Sequence, residues 1–349
     1  MPHLVAAPDK FRGTATAVEV VAAVTAAADA AGWSSVGVPL SDGGEGLLEA
    51  LGGAVHRTEV PGPLGAPTIA EWRMLPAPDH LDHPGPTAVI EMSRAAGRAL
   101  LPHPRGDEPV RADTAGVGTL LLAARDAGAR RIVVGCGGSA TTDGGWGAVR
   151  TVGSAEQLDG IEITVACDVT TPFRQAARVF GPQKGATATQ IALLSDRLGA
   201  LADRYRRDFG VDVDAEPGAG AAGGLAGGLV ALGARLVHGF DLVAGLVGLD
   251  ARLAGADVVI TGEGHLDPPS FDGKVPGGVL ALARARSAQG NDLPVLCIAG
   301  GVDASLLARP PQGLQVVSLT ARFGRTRARG ETLDLINLVT AEAVARFCP

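Results

Sequence analysis

At 349 residues the chain is too long for one ordinary core, so two domains are expected. Apolar residues make up 46% and aromatics only 3%, a composition of Ala, Val and Leu that suits helices packed closely on parallel strands. The formal net charge of −7, without a long run of like charge, argues against nucleic acid as a partner.

The first apolar run, Leu4-Val5-Ala6-Ala7, reads as a strand that ends at Pro8-Asp9. The early charges of Asp9 and Lys10 do not fit a signal peptide. A helix is expected from Thr16, where Thr16 and Glu19 have capping-box spacing, through Val18, Val21 and Val24 to Ala31, with Gly32 as its stop. The run Val36–Leu40 leads into Ser41-Asp42-Gly43-Gly44-Glu45-Gly46, where Asp42 and Glu45 have the spacing of a helix cap. Residues 61–110 are rich in proline and read as irregular structure around one strand, Ala88–Met92. A helix over Ala115–Ala127, a strand over Arg131–Cys136 and a strand over Glu162–Cys167 follow. Toward the end, Asp257–Ile260 leads into a Thr261-Gly262-Glu263-Gly264 loop, Pro294–Ile298 into Ala299-Gly300-Gly301, and Val316–Leu319 closes the series. Strands alternating with helices imply an α/β fold, a doubly wound parallel sheet assembled from both ends of the chain with a second α/β domain inserted. The expected bounds are 1–60 with 251–349 for the outer domain and 61–250 for the insertion, with the active site in the cleft that separates them.

The longest uncharged stretch, Ala219–Ala234, falls short of the ~20 residues that span a bilayer and reads as a buried helix of small residues. Cys136, Cys167, Cys297 and Cys348 are far apart without metal-ligand spacing, which points to a reducing, cytoplasmic setting with no membrane partner.

The acids carry the chemistry. Asp9, Asp42, Asp168 and Glu263 each fall at or just beyond the carboxyl end of an expected strand, the edge where parallel sheets bind ligands. Like charges gathered there need a metal ion or the cations Lys10, Arg12, Lys184 and Lys274 to offset them. The run Gly135-Cys136-Gly137-Gly138-Ser139-Ala140-Thr141-Thr142-Asp143-Gly144-Gly145 follows a strand and opens a helix, so its amides and hydroxyls suit an anion. It is not a Walker A loop, and it lacks the second glycine of a nucleophile elbow. Gly218-Ala219-Gly220-Ala221-Ala222-Gly223 spells a dinucleotide fingerprint, but acidic residues and Pro217 precede it where a strand is required. Lys184 in Phe180–Ala186 and Lys274 after Gly273 sit in tight, glycine-framed loops, and His265 stands beside one of them.

Taken in order, Ala7–Gly13, Ser41–Gly46, Gly137–Gly145, Ala166–Val169, Val179–Ala186, Pro217–Leu225 and Thr261–Gly264 resemble the bacterial glycerate kinase family over most of the chain. Residues Thr151–Gly160 are shorter than the matching segment of that family, which suggests a lost edge element of the inserted domain. The resemblance implies a flavodoxin-like domain with an α/β insertion and ATP-dependent phosphorylation of D-glycerate with Mg²⁺, giving 2-phosphoglycerate, in a monomer or homodimer. Asp168 is the first choice for the base that takes the acceptor hydroxyl proton, and Asp143 the second. Asp42, Glu263 and Asp9 are the candidate magnesium ligands. Lys10, Lys184 and Lys274 would neutralise phosphate or carboxylate oxygens, and Arg12 or Arg111 would clamp the glycerate carboxylate. Gly138, Ser139, Ala140 and Thr141, with Gly262 and Gly264, would line the triphosphate or the acceptor. The competing readings are phosphorylation at O3, a non-catalytic sugar-acid or nucleotide sensor, and an NAD-dependent dehydrogenase.

Overall fold

Eleven strands, which overlap all eight apolar runs and include three that the sequence did not mark, stand in a computed structural model that describes residues 1–77, 85–287 and 293–346, so Cys348 lies outside the described residues. In chain order they begin with β1 (His3–Ala6), β2 (Ser34–Gly37), β3 (Ala54–Pro61), β4 (Pro67–Leu75) and β5 (Thr87–Glu91). Next come β6 (Arg131–Gly135), β7 (Glu162–Ala166) and β8 (Arg235–Val237), then β9 (Val258–Leu266), β10 (Val295–Val302) and β11 (Leu314–Ser318). They form a five-stranded sheet of order β11-β10-β9-β1-β2 and a six-stranded sheet of order β3-β4-β5-β6-β7-β8. The chain divides into two compact units, Met1–Asp42 with Glu49–Leu51 and Phe240–Pro349, and Gly43–Leu48 with Gly52–Gly239.

In the first unit every strand pair is parallel. From β1 the chain steps to β2 on one side, and β9, β10 and β11 then extend the sheet on the other, which is the flavodoxin order. The direction of winding therefore reverses where β1 meets β9. Successive residues of a strand face opposite sides. Leu4 and Ala6, with Val258, Ile260, Leu296 and Ile298, meet the helices Ala17–Ala30 and Thr332–Arg346. Val5, Val259 and Cys297 are buried on the opposite face, where the helix Val275–Ser287 packs on β9 and β10.

The first helix begins as its spacing requires. Glu19 N–H donates to Thr16 Oγ1 at 3.2 Å and Thr16 N–H to Glu19 Oε2 at 2.8 Å. Its inward stripe is Ala17, Val20, Val24, Ala27 and Ala28, whereas Val18 is 45% exposed. In a helix of alternating Val and Ala the sequence has little polar contrast to mark the buried face.

In the second unit β5 to β8 are parallel, while β3, β4 and β5 pair antiparallel. The region expected to be irregular thus holds a hairpin, closed where Gly62 N–H donates to Ala66 O at 2.7 Å. Its outer strand is largely exposed, and the prolines mark its ends, Pro61 opposite Pro67. Buried Trp72 anchors β4 and donates from Nε1 to Thr58 Oγ1 at 3.0 Å. The short segment at 151–160 makes a 3-10 turn, Ala155–Leu158, that leads into β7, an interior strand.

The stretch 219–234 is buried but not one helix: a 3-10 turn, Ala221–Gly224, is followed by the helix Leu225–Ala231. Among the described residues no helix is long and apolar enough to cross a membrane. Phe173 and Tyr205, both fully buried, meet edge to face at 6.0 Å, and the long helix Ala188–Phe209 supplies Leu194, Leu198 and Ala202 to the same core.

The Phe173 ring packs on the backbone of Gly144, Gly224 and Gly227, where an added Cβ would lie 2.4–3.0 Å from it, so its truncation leaves a cavity flanked by backbone. Phe173→Ala is expected to destabilise the second unit by about 3–5 kcal/mol. Urea unfolding followed by the near-ultraviolet signal of the neighbouring Trp146 and Tyr205 measures it.

Candidate functional site

The carboxyl ends of β1 and β9 meet at the reversal of strand order in the first unit. The ladder runs on past β1, since Ala7 N–H donates to Ile260 O and Asp9 N–H to Gly262 O, both at 2.8 Å. Thr261 Oγ1 adds a buried bond to Ala7 O at 2.8 Å. Asp9 is thereby fixed and 6% exposed. Burial pushes its carboxyl up to about 6, opposed by Lys10 and reinforced by Asp42. Lys10 donates its backbone N–H to Asp9 Oδ1 at 2.7 Å, and its Nζ stands 3.5 Å from Asp9 and 4.0 Å from Asp42. One ammonium thus serves both acids.

Glu263 does not lie on a loop. β9 continues through Thr261–Gly264, and Glu263 pairs in register with Ala299 of β10. The extension depends on Gly262, where a Cβ would come within 2.2 Å of Ile298 O. Gly262 and Gly264 therefore serve close backbone packing. Glu263 is 8% exposed, and burial raises its carboxyl to about 7, with Ser270 and Lys274 opposing and Asp9 and Asp267 adding to the rise. Its Oε1 is buried with no hydrogen-bond partner among the described residues. A buried carboxylate oxygen without a donor is costly and suits a cation.

Asp9, Asp42 and Glu263 do not close into a cage: among the described residues no group of three His, Cys, Asp or Glu side chains is arranged to hold a metal ion. Magnesium does not require one, because it keeps several waters and takes one or two carboxylates beside substrate phosphates. The oxygen-only donor set and the unsatisfied Oε1 fit that ion. Lys274 is partly buried and Arg12 is exposed.

The helix after the Asp42 loop, Leu47–Leu51, has Gly46 as its N-cap, which has no side chain, so another residue must cap it. Glu91 does this from the end of β5. Its Oε1 accepts from Gly46 N–H at 2.8 Å and Leu48 N–H at 3.2 Å, while Arg94 donates to Oε2 at 3.1 Å. Glu91 is 2% exposed. No motif marked it, although an acid closing an apolar strand was the available signal.

The glycine-rich run follows β6 and leads into the helix Trp146–Val152, as its composition requires. A Cβ on Gly137 would come within 2.7 Å of Gly44 Cα, so glycine is needed where the two loops touch. Gly138 is exposed, but Ser139, Ala140, Thr141 and Thr142 turn inward. Much of the loop backbone is engaged, with Ala140 N–H on Ala96 O at 2.9 Å and Arg98 N–H on Gly138 O at 2.8 Å. Asp143 organises the run. Its Oδ2 accepts from Thr114 N–H, Thr114 Oγ1 and Gly147 N–H at 2.8–2.9 Å, and its Oδ1 from Gly145 N–H at 3.2 Å. Burial still holds the carboxyl above its ordinary range. Both oxygens of Asp143 are thus taken up by the loop.

Asp168 lies just past β7, partly exposed, with Oδ1 accepting from Gly239 N–H at 2.9 Å beyond the end of β8. Next to it, Cys167 Sγ donates to Val169 O at 3.2 Å, which secures the loop. Arg111 is exposed on a helical turn and pairs with exposed Asp107 at 3.5 Å rather than with the strand-end acids.

Lys184 is buried rather than solvated. It is 6% exposed and its Nζ donates to Thr141 O at 2.5 Å. Beside it, Ala222, Gly223 and Gly224 run through the left-handed region, and Ala222, at φ 52°, is the one non-glycine with positive φ among the described residues. A Cβ on Gly223 would meet Thr141 O at 2.0 Å and Lys184 Nζ at 2.9 Å. The ammonium thus joins three loops from within. Burial lowers it to about 7, with Asp143 opposing and Arg98 adding to the fall. The fingerprint letters at Gly218 follow turns at 211–217 rather than a strand, which removes the basis for a dinucleotide site.

The model of the Glycerate kinase family matches residues 4–159 and 153–346. A glycerate 2-kinase of Escherichia coli strain K12 is 37% identical over 340 residues, covering 86% of this chain and 85% of its own. A glycerate kinase of Bacillus subtilis strain 168 is 35% identical over 342 residues, with 86% and 85% covered. A crystal structure described as a glycerate kinase 2 from Salmonella typhimurium LT2 superposes with a TM-score of 0.77 at 32% identity, covering 99% of both chains.

The lowered lysine gives a pH signature. Between its folded value near 7 and its unfolded value near 10.5, the unfolded chain binds the extra proton, so Lys184 makes stability rise with pH in that window. The slope is at most about 1.4 kcal/mol per pH unit. Subtracting the stability of Lys184→Met from that of the wild type at pH 7.5 and 9.5 should expose this rise, and a flat difference would show an ordinary lysine.

Proposed function

Since the chain belongs to the glycerate kinase family, we propose that it transfers the γ-phosphate of ATP to the 2-hydroxyl of D-glycerate, giving 2-phosphoglycerate and ADP, in the cytoplasm. The observation that carries the reading is a set of buried strand-end acids in the first unit whose charge is only partly neutralised; within the second unit, Asp168 is an oriented carboxylate.

Asp168 takes the proton of the acceptor hydroxyl as that oxygen bonds to the γ-phosphorus and the bond to the departing ADP oxygen breaks. The hydrogen bond from Gly239 N–H holds the carboxylate in one orientation for this step. Phosphoryl transfer otherwise asks for positioning and charge neutralisation. Glu263 through its unsatisfied Oε1, with Asp42 or Asp9, would hold Mg²⁺, which when bound neutralises phosphate charge and aligns the phosphates. Lys10 and Lys274 add positive charge for the phosphate oxygens. Lys184, Asp143 and Glu91 keep the loops in place without touching substrate.

Incubation with ATP, Mg²⁺ and D-glycerate, followed by phosphorus NMR, identifies the phosphorylated oxygen directly; a 3-phosphoglycerate signal would move the reaction to O3, and no turnover would support a sensor. Asp168→Asn should lower kcat by about 10²–10⁴-fold with little change in melting temperature. Near-normal turnover would remove Asp168 as the base. Glu263→Gln should raise the Mg²⁺ concentration for half-maximal rate by about tenfold or more, the loss of one charged ligand. An unchanged metal titration would place the ion elsewhere.

A further inference from the structure

The first unit carries a small cavity, about 200 Å³, at the carboxyl ends of β9 and β10. Its floor is glycine. A Cβ on Gly300 would come within 2.5 Å of Gly264 O, and one on Gly301 within 2.7 Å of His265 Nδ1. No side chain can fill the space from below, and Thr320 Oγ1 secures one edge by donating to Gly300 O at 2.6 Å.

The walls are cationic. Arg12 reaches the cavity from the loop after β1, and Arg325 and Arg329 from the helix Arg325–Gly330. Four residues apart, the last two share a helix face. Their neighbours Arg322 and Arg327 point elsewhere and pair with Glu342 and Glu331, each at 2.7 Å. Among the described residues, none of the three cavity arginines has a carboxylate partner. The nearby acid Asp303 is engaged by His265 Nε2 at 3.0 Å. In a chain of net charge −7, three unpaired guanidiniums around one polar cavity make a site for an anion.

Size and lining narrow the anion. The apolar members of the wall, Phe11 and Ala328, are 1% and 4% exposed, which leaves no surface for a base to stack on. A three-carbon acid fits. Guanidinium forks match the planar carboxylate in bidentate fashion. We propose that Arg12, Arg325 and Arg329 form the pocket that selects the acceptor by its carboxylate. The assignment rests on the kinase reading above and adds two recognition residues to it.

The test uses the full chain with D-glycerate, inorganic phosphate and a non-hydrolysable ATP analogue as separate calorimetric titrants. In Arg325→Ala/Arg329→Ala, D-glycerate affinity should fall about 10–100-fold, consistent with losing two charge-assisted contacts. The KM for D-glycerate should rise in parallel, with the affinity for the analogue and the KM for ATP unchanged. The double lysine variant, which keeps the charge and loses the fork, should recover part of the affinity. Wild-type turnover combined with an unchanged glycerate KM in the alanine variant overturns the pocket and leaves the kinase reading standing. So does loss of analogue or phosphate affinity in place of glycerate affinity, because the cavity would then hold a phosphate. No D-glycerate turnover by the wild type overturns both.

Discussion

Carboxylates buried at the carboxyl ends of parallel strands are the constraint around which the rest of this protein is arranged. Such a group loses its water and must receive donors or a counter-charge from the protein. The chain meets that demand in three ways. Glu91 and Asp143 are satisfied largely by backbone N–H groups, and each becomes a clasp that holds a loop. Asp9 shares one lysine with Asp42. Glu263 keeps an oxygen with no donor. The acids that are satisfied internally hold the structure.

Glycine makes these arrangements possible by letting backbones touch. The extension of β9 beside β10 depends on it at Gly262, and the contact of two loops depends on it at Gly137. Both bring strand-end groups closer than side chains would permit, which is why the glycines lie beside the acids in the sequence. The flavodoxin order then supplies the location, since ligands of open parallel sheets bind where the strand order reverses. Fold alone does not fix chemistry; here the charged groups at that edge narrow it.

The sequence made most of the parallel strands legible as short apolar runs, but not β8, which is only three residues long. It showed the first helix through Thr16 and Glu19, whose hydrogen bonds are local. It concealed the β3–β4 hairpin, because exposed strands with proline at their ends carry no apolar signature. It concealed the true setting of Lys184, because nothing in a lysine between proline and glycine distinguishes a solvated charge from one buried under another loop. The same holds for Asp143: its letters suggest chemistry, and only the long-range bonds to Thr114 reveal a clasp. At the candidate site the residue types were legible, and their division of labour was not. That division is set by partners far away in the chain, such as Glu91 for the helix after the Asp42 loop.

The strand order also bears on how the protein is made. β1 and β2 leave the ribosome first, yet the other neighbour of β1 is β9, whose first residue is Val258. At roughly 5–20 residues per second, the far edge of β1 stays without its partner for about thirteen to fifty seconds. During that interval the continuous stretch 52–239 emerges whole and has every strand its own sheet requires. Vectorial synthesis therefore favours completion of the middle of the chain while its two ends wait for each other.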